Sequence, residues 1–274
     1  MNYTSLNIAC AEDFSDILIA ELGDYPFESF LWEEGTLRAY IPTEQLPAHR
    51  ADIAELLARY RVEGTYTDIK TENWNATWEE HDFTPVDVVG KILIRAPHHE
   101  PAPQGVMEVL IRPRMSFGSG HHATTWMMSR EVLSLGVTDR EGLDIGCGTG
   151  VLAIVSAKCG ARRVDAVDID DVCVESCREN IALNGVADRI EPLLGDISCV
   201  ADRHYDFILA NIHRNILINQ MEISSRLLNE GGDLLMSGFL AEDVPAIISS
   251  AESFGLHHVA TLAREGWQLV HLRK

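Results

Sequence analysis

From residue 141 onward, short apolar segments alternate with longer segments of helical periodicity. The predicted strands lie at 142–146, 163–168, 190–194, 206–211 and 233–238. The predicted helices lie at 150–159, 171–184, 214–229 and 242–254. Apolar strands separated by helices are typical of a parallel sheet that is buried on both faces. Two final strands, 257–263 and 267–272, have no helix between them. We therefore predict an α/β fold, a Rossmann-like doubly wound sheet with an antiparallel last strand.

The N-terminal part of the chain has a different order of elements. A strand at 3–9, a helix at 12–22, strands at 27–33 and 36–41, a helix at 48–60 and a strand at 65–70 are predicted in turn. The order βαββαβ predicts a small α+β domain of the ferredoxin-like type. We expect this domain at 1–71, a connecting helix and strands at 72–113, and a catalytic domain at 114–274. The connecting helix is predicted within 71–85, and the strands are predicted at 86–95 and 105–112.

Charge and composition restrict the partners that this chain can have. Its formal net charge is −20, and residues 1–90 hold 18 acids against 5 bases. Such a surface repels nucleic acid and attracts basic partners. We find no apolar run long enough for a membrane helix and no basic, apolar leader. The six cysteines form no CxxC pair and are interpreted as small core residues in a reducing cytoplasm. A cytoplasmic monomer is expected.

The strongest local motif runs from Asp144 to Gly150, where an apolar strand enters a turn with Gly146, Gly148 and Gly150 and then a helix. Glycine lets the backbone turn tightly and approach a ligand closely. The spacing is GxGxG, whereas dinucleotide enzymes use GxGxxG. Asp144 before the turn suits a ligand with an ammonium group better than one with a pyrophosphate. A purely structural corner is the alternative.

Acids follow the next two predicted strands at the same edge of the sheet. Asp168, followed by Ile169, lies 22 residues after Gly146 and can accept both ribose hydroxyls of an adenosine. Asp196 follows the third strand, where an acid can face the adenine amino group, or else can cap a turn. Asp170 is interpreted as the N-cap of the next helix.

Asn211 ends the fourth strand and is our candidate catalytic residue. Its side-chain oxygen can accept a hydrogen bond from an amine, which aims the nitrogen lone pair at an electrophilic carbon. This is catalysis by orientation, without a covalent intermediate. A turn or a cap is the alternative for an Asn at a strand end.

These motifs together resemble those of the bacterial ribosomal protein L11 methyltransferases. Four pieces carry the match: Asn73-Trp74 to Pro85, the stretch Phe117-Gly118-Ser119-Gly120-His121-His122-Ala123-Thr124-Thr125, the Asp144–Gly150 turn with Asp168, and Ala210-Asn211-Ile212. Ser237-Gly238 and Trp267 also fit the pattern. The resemblance implies a class I methyltransferase domain that uses S-adenosylmethionine. It also implies that the N-terminal domain recognises ribosomal protein L11, a basic protein, and that a connecting helix lets this domain move. Lysine side chains and the N-terminal amine would be methylated.

The resemblance also implies roles for individual residues. Thr125, Gly146, Asp168 and Asn211 would contact S-adenosylmethionine, and Phe117, Gly118 and the two histidines would form a loop over the pocket. Asp144, Gly148, Gly150, Ile169 and Asp196 complete our predicted cofactor site. We predict no metal site, because the adjacent histidines have no third ligand at a suitable spacing.

Departures from the family pattern keep other functions open. Ser119, His121 and Ala123 replace the family's usual Thr, Thr and Pro, and His213-Arg214-Asn215 replace small residues and a proline. These positions border the substrate, so a methyltransferase for another protein or for a small molecule is the main alternative. A nicotinamide-dependent oxidoreductase and a non-catalytic binding protein are further alternatives.

Overall fold

The computed structural model describes residues 3–23, 25–27, 29–33, 35–69, 84–112 and 122–274. The chain divides into two compact units, residues 1–77 and residues 78–274. Within the described ranges, no helix is both long enough and apolar enough to cross a membrane.

The described residues of the N-terminal unit form four strands and two helices in the predicted order. They are β1 (Tyr3–Ala9), α1 (Glu12–Leu22), β2 (Ser29–Glu33), β3 (Thr36–Pro42), α2 (Leu46–Arg59) and β4 (Gly64–Ile69). The sheet order is β2-β3-β1-β4, and all neighbours are antiparallel. Leu6 and Ile8 on β1 and Ile53 on α2 belong to one buried cluster. This is the ferredoxin-like arrangement.

A three-stranded sheet opens the described part of the C-terminal unit. It consists of β5 (Val86–Val88), β6 (Ile92–Arg95) and β7 (Met107–Leu110). We predicted one strand over 86–95, but a turn with positive φ at Val89 and Gly90 folds it into an antiparallel hairpin. The connecting helix predicted within 71–85 falls almost wholly outside the described residues.

The seven-stranded sheet that follows confirms the predicted fold class. Its strands are β8 (Glu141–Ile145), β9 (Arg163–Asp168), β10 (Ile190–Leu194), β11 (Tyr205–Asn211), β12 (Leu228–Leu240), β13 (His257–Arg264) and β14 (Trp267–Arg273). The sheet order is β10-β9-β8-β11-β12-β14-β13. β8 to β12 are mutually parallel, and β14 is antiparallel to β12 and to β13. The chain order reverses between β8 and β11, where a ligand crevice is expected in such sheets.

Helices cover both faces of this sheet. They are α3 (Ala123–Leu135), α4 (Val151–Lys158), α5 (Asp171–Leu183), α6 (Arg214–Asn219), α7 (Met221–Leu227) and α8 (Val244–Ser253). One buried cluster contains α3, α4 and α5 side chains together with strands of the three-stranded sheet. The other contains Leu217, Met221 and Ile247 from α6, α7 and α8. The single helix predicted over 214–229 is wrong, because the chain breaks at Gln220 and enters β12 at Leu228.

Candidate functional site

A pocket of about 580 Å³ lies at the carboxyl ends of the parallel strands. Six of the predicted site residues line it: Gly146, Gly148, Asp168, Ile169, Asp196 and Asn211. Each of these residues lies in β8, β9, β10 or β11 or within three residues of the strand's carboxyl end, so the parallel register brings four strand ends to one place. The three remaining described candidates, Thr125, Asp144 and Gly150, are not among the lining residues.

The glycine turn after β8 forms one wall of the pocket. Gly146 has a φ of +69°, and a Cβ there would lie 2.4 Å from Cγ2 of Ile212. A side chain at this position would therefore be strained and would also collide with the segment that follows Asn211. Gly150 lies behind the turn as the N-cap residue of α4.

Asp144 is buried beneath the turn. The residue is 1% exposed, and its Oδ2 accepts a hydrogen bond from the backbone N–H of Ala153 on α4 at 3.1 Å. Burial, opposed by the hydrogen bond from the Ala153 N–H and assisted by the nearby Asp168 carboxylate, raises the pKa of Asp144 to about 7. The Asp144 carboxyl group, which we predicted beside a ligand ammonium, is thus hydrogen-bonded to the first turn of α4.

Asp168 is held by the backbone on both sides of its carboxylate. Its Oδ2 accepts from the N–H of Gly148 at 2.9 Å, and its Oδ1 accepts from the N–H of Asp170 at 3.1 Å. Each oxygen keeps further acceptor capacity for a ligand hydroxyl. Asp170 caps α5 as predicted, accepting from the N–H of Val172 at 2.9 Å.

Asp196 and Ile169 occupy the part of the pocket beyond β9 and β10. Asp196 accepts through Oδ1 from the backbone N–H and the hydroxyl of Ser198, and caps the short 3₁₀ helix Ile197–Val200. The Ser198 hydroxyl and N–H lower the pKa of Asp196, so it is an anion at neutral pH. Ile169 is 77% exposed, which is unusual for a large apolar residue. Its exposed side chain suits packing against the flat face of a nucleobase.

Asn211 lines the pocket at the end of β11. Its Nδ2 donates to Oγ1 of Thr125 at 3.4 Å, and Thr125 itself is fully buried in the first turn of α3. The other amide atom, Oδ1, is buried and has no hydrogen-bond partner among the described residues. An unpaired buried acceptor is costly, so it indicates that a donor belongs there.

An aromatic pair flanks this end of the pocket. The rings of His122 and Trp267 are 4.6 Å apart in an edge-to-face arrangement, and both residues line the pocket. Burial lowers the pKa of His122, which favours its neutral form, and the side chain caps α3 by accepting from the N–H of Thr124. Phe117, Gly118 and His121 lie outside the described residues. In the part of the chain that is described, no group of three or more His, Cys, Asp or Glu side chains could hold a metal.

Several lining residues were not predicted from the sequence. The most informative are Ile197, Ile216, Gln220 and Gly238. Ile212, Ile216 and Gln220 are spaced by four, which is the periodicity of one helix face. Ile197 directly follows a predicted acid. Both signals were present in the sequence, but we had no reason to place α6 along the pocket.

Comparison with known proteins agrees with this geometry. A family model described as ribosomal protein L11 methyltransferase (PrmA) matches residues 8–274. A ribosomal protein L11 methyltransferase from Porphyromonas gingivalis is 43% identical over 258 residues, covering 92% of this chain and 88% of the relative. One from Bacteroides fragilis is 38% identical over 267 residues, covering 95% and 94%. The crystal structure of a ribosomal protein L11 methylase from Lactobacillus delbrueckii subsp. bulgaricus superposes with a TM-score of 0.62 at 25% identity, covering 70% of this chain and 98% of that one.

Proposed function

We propose, because this chain belongs to the ribosomal protein L11 methyltransferase family, that it transfers methyl groups from S-adenosylmethionine to lysine side chains or the N-terminal amine of ribosomal protein L11. The enzyme class and the cofactor follow from the family. The observation that carries the assignment to an amine is the unpartnered, buried Oδ1 of Asn211 at the end of β11.

The residues of the pocket fit S-adenosylmethionine. Asp168 offers acceptors to the ribose hydroxyls, Ile169 and Asp196 suit the adenine, and the backbone of Gly146 and Gly148 can approach the methionine part. When bound, the cofactor supplies an electrophilic methyl group on a sulfonium.

Asn211 then has an orienting role. Its Oδ1 accepts an N–H of the target amine, and the weak bond from Nδ2 to Thr125 fixes which way the amide faces. Holding the amine hydrogens leaves the nitrogen lone pair directed at the methyl carbon. We assign no residue as a general base.

The target amine must be neutral to react. Deprotonating a free lysine at pH 7 costs roughly 4.6 kcal/mol, and an N-terminal amine roughly 1 kcal/mol. Removal from water in the pocket lowers the penalty for lysine. The N-terminal amine is therefore the easier substrate, and lysine methylation depends more on how completely the pocket closes around the side chain.

The charge distribution supports a basic protein substrate. The 18 acids and 5 bases of residues 1–90 attract a basic partner and disfavour direct binding to nucleic acid. We propose that the ferredoxin-like unit makes this contact, that the enzyme acts as a monomer, and that it works in the cytoplasm, where ribosomal proteins are assembled.

Mass spectrometry tests the function directly. Purified ribosomal protein L11, incubated with this enzyme and S-adenosylmethionine, should gain mass in steps of one methyl group. Asn211→Ala should lower kcat on the order of 100-fold, since orientation is lost. Its affinity for S-adenosylhomocysteine should change far less. Asn219→Ala is the control, because Asn219 is exposed on α6 and does not line the pocket.

The other outcomes are equally informative. If L11 gains no mass while the protein still binds S-adenosylhomocysteine, the substrate is another protein or a small molecule. If Asn211→Ala loses rate and cofactor affinity by the same factor, the orienting role of Asn211 is wrong.

A further inference from the structure

Gln220 occupies the break between α6 and α7. Its backbone N–H donates to the carbonyl of Ile216 at 2.9 Å, and its carbonyl accepts from the N–H of Ser224 at 2.9 Å. The backbone hydrogen bonds of the two short helices are thus preserved across the break. Gln220 is one of the residues that line the pocket.

The amide oxygen of Gln220, like that of Asn211, is buried and, within the described part of the chain, unpaired. Its Oε1 is buried and finds no hydrogen-bond donor among the described residues. A buried acceptor without a donor costs free energy, which a ligand N–H can offset. Two residues that line one pocket thus carry such an oxygen, and the amine that Asn211 orients accounts for only one of them.

The geometry of α6 places Gln220 away from the reacting end. Gln220 follows His213, the N-cap of α6, by seven residues, which corresponds to roughly 10 Å along a helix. Because both residues line the pocket, α6 runs along its rim. Ile197, which directly follows Asp196, lines the same pocket as Gln220. Gln220 and the turn that begins at Asp196 therefore border one cavity.

We propose that Gln220 binds the adenine of the cofactor by accepting a hydrogen bond from its 6-amino group, an inference that rests on the proposed function. That amino group has two N–H donors. Asp196 Oδ1 accepts both hydrogen bonds from Ser198. Asp196 Oδ2 accepts neither of them, so this oxygen can accept one N–H of the amino group. Gln220 accepts the other. The pair distinguishes adenine from purines that carry a carbonyl at this position.

Calorimetry with two ligands tests the assignment. The ligands are S-adenosylhomocysteine and its analogue with hydrogen in place of the 6-amino group. Gln220→Leu, similar in size and without an acceptor, should bind S-adenosylhomocysteine roughly 5- to 10-fold more weakly than the unaltered protein. It should bind the analogue with unchanged affinity. Asn219→Leu, one residue away and exposed, should match the unaltered protein with both ligands.

Thermal unfolding of the ligand-free protein separates this role from a structural one. Gln220→Leu removes a buried unpaired acceptor, so its Tm should equal or exceed that of the unaltered protein. A lowered Tm together with equal losses for both ligands would overturn the proposal, as would unchanged binding of S-adenosylhomocysteine. Unchanged binding with a raised KM for L11 would instead place Gln220 against the target amine. Failure of the unaltered protein to bind S-adenosylhomocysteine would refute the proposed function itself.

Discussion

Asp168 accepts a hydrogen bond from the backbone N–H of Gly148 at 2.9 Å. The acid that ends β9 thereby fixes the glycine turn that follows β8, so one carboxylate both shapes the pocket and offers acceptors to a ligand. We expect Asp168→Ala to weaken S-adenosylhomocysteine binding on the order of 100-fold, because charged hydrogen bonds to two hydroxyls are lost. Calorimetry measures this. Asp170→Ala removes only the cap of α5 and should leave the affinity nearly unchanged.

Gly238 on β12 controls the position of the segment after Asn211. Its φ is +101°, and a Cβ there would lie 2.4 Å from the carbonyl oxygen of Ile212. Gly238→Ala should therefore displace Asn211 and lower the methyl-transfer rate more than tenfold. Gly255→Ala is a matched control, since Gly255 has a φ of +79° with nothing within 4 Å of its Cβ position. Both variants should lose about 1–3 kcal/mol of stability from backbone strain. Equal activity in the two would contradict this role for Gly238.

Asp144 should make stability depend on pH near neutrality. Its pKa is raised to about 7 in the folded protein, against about 3.9 in an unfolded chain. The resulting stabilisation is complete below pH 4 and is lost as the pH rises to 7, because the unfolded state releases its proton first. Asp144→Asn stays neutral, so its Tm advantage over the unaltered protein should grow between pH 4 and 7 and then level off. Asp202→Asn, at an exposed position, should show no such trend.

Asp233 joins β12 to β14 and to the segment before β8. It is 3% exposed and bonds to Arg140, His271 and Arg273 at 2.7–2.9 Å. Burial opposes its ionisation, but these hydrogen bonds outweigh burial and hold the pKa of Asp233 at about 2. We expect Asp233→Ala to cost about 3 kcal/mol in urea unfolding at pH 7. The difference should shrink as the pH falls from 4 toward 2, because the unfolded chain takes up a proton at Asp233 near pH 4 and the folded protein does so only near pH 2.

The matched control for Asp233→Ala is Asp188→Ala. Asp188 is 77% exposed and lies 3.9 Å from Arg189, and exposed pairs of this kind contribute little. A loss in Asp233→Ala no larger than that of the control would show that the buried network does not stabilise the fold.

The fold was predictable because its signals are local. Continuous apolar strands and intervening helices identify the doubly wound sheet, and the carboxyl ends of parallel strands meet at one edge. For this reason Gly146, Asp168, Asp196 and Asn211, far apart in sequence, were expected together and do line one pocket. The family resemblance is confirmed by the comparisons.

The rest of the site depends on tertiary structure. Residues 214–227 contain no Gly or Pro, so local propensity predicts one helix, and nothing in that stretch marks the break at Gln220. The break becomes visible only when α6 and α7 pack on the sheet and the chain must enter β12 at Leu228. Likewise, sequence alone could not show that the carboxylate of Asp144 points toward α4.

The pairing of β8 with β11 also determines when in folding the pocket can exist. Ala210 lies opposite Ile145, 65 residues earlier in the chain, and the residues that follow these two positions are Asn211 and Gly146. Contacts between such distant segments carry a high entropic cost and form slowly. A ligand of this pocket finds no site until the sheet is assembled. Its binding free energy therefore acts on the native protein, where it slows unfolding and leaves the rate of refolding unchanged.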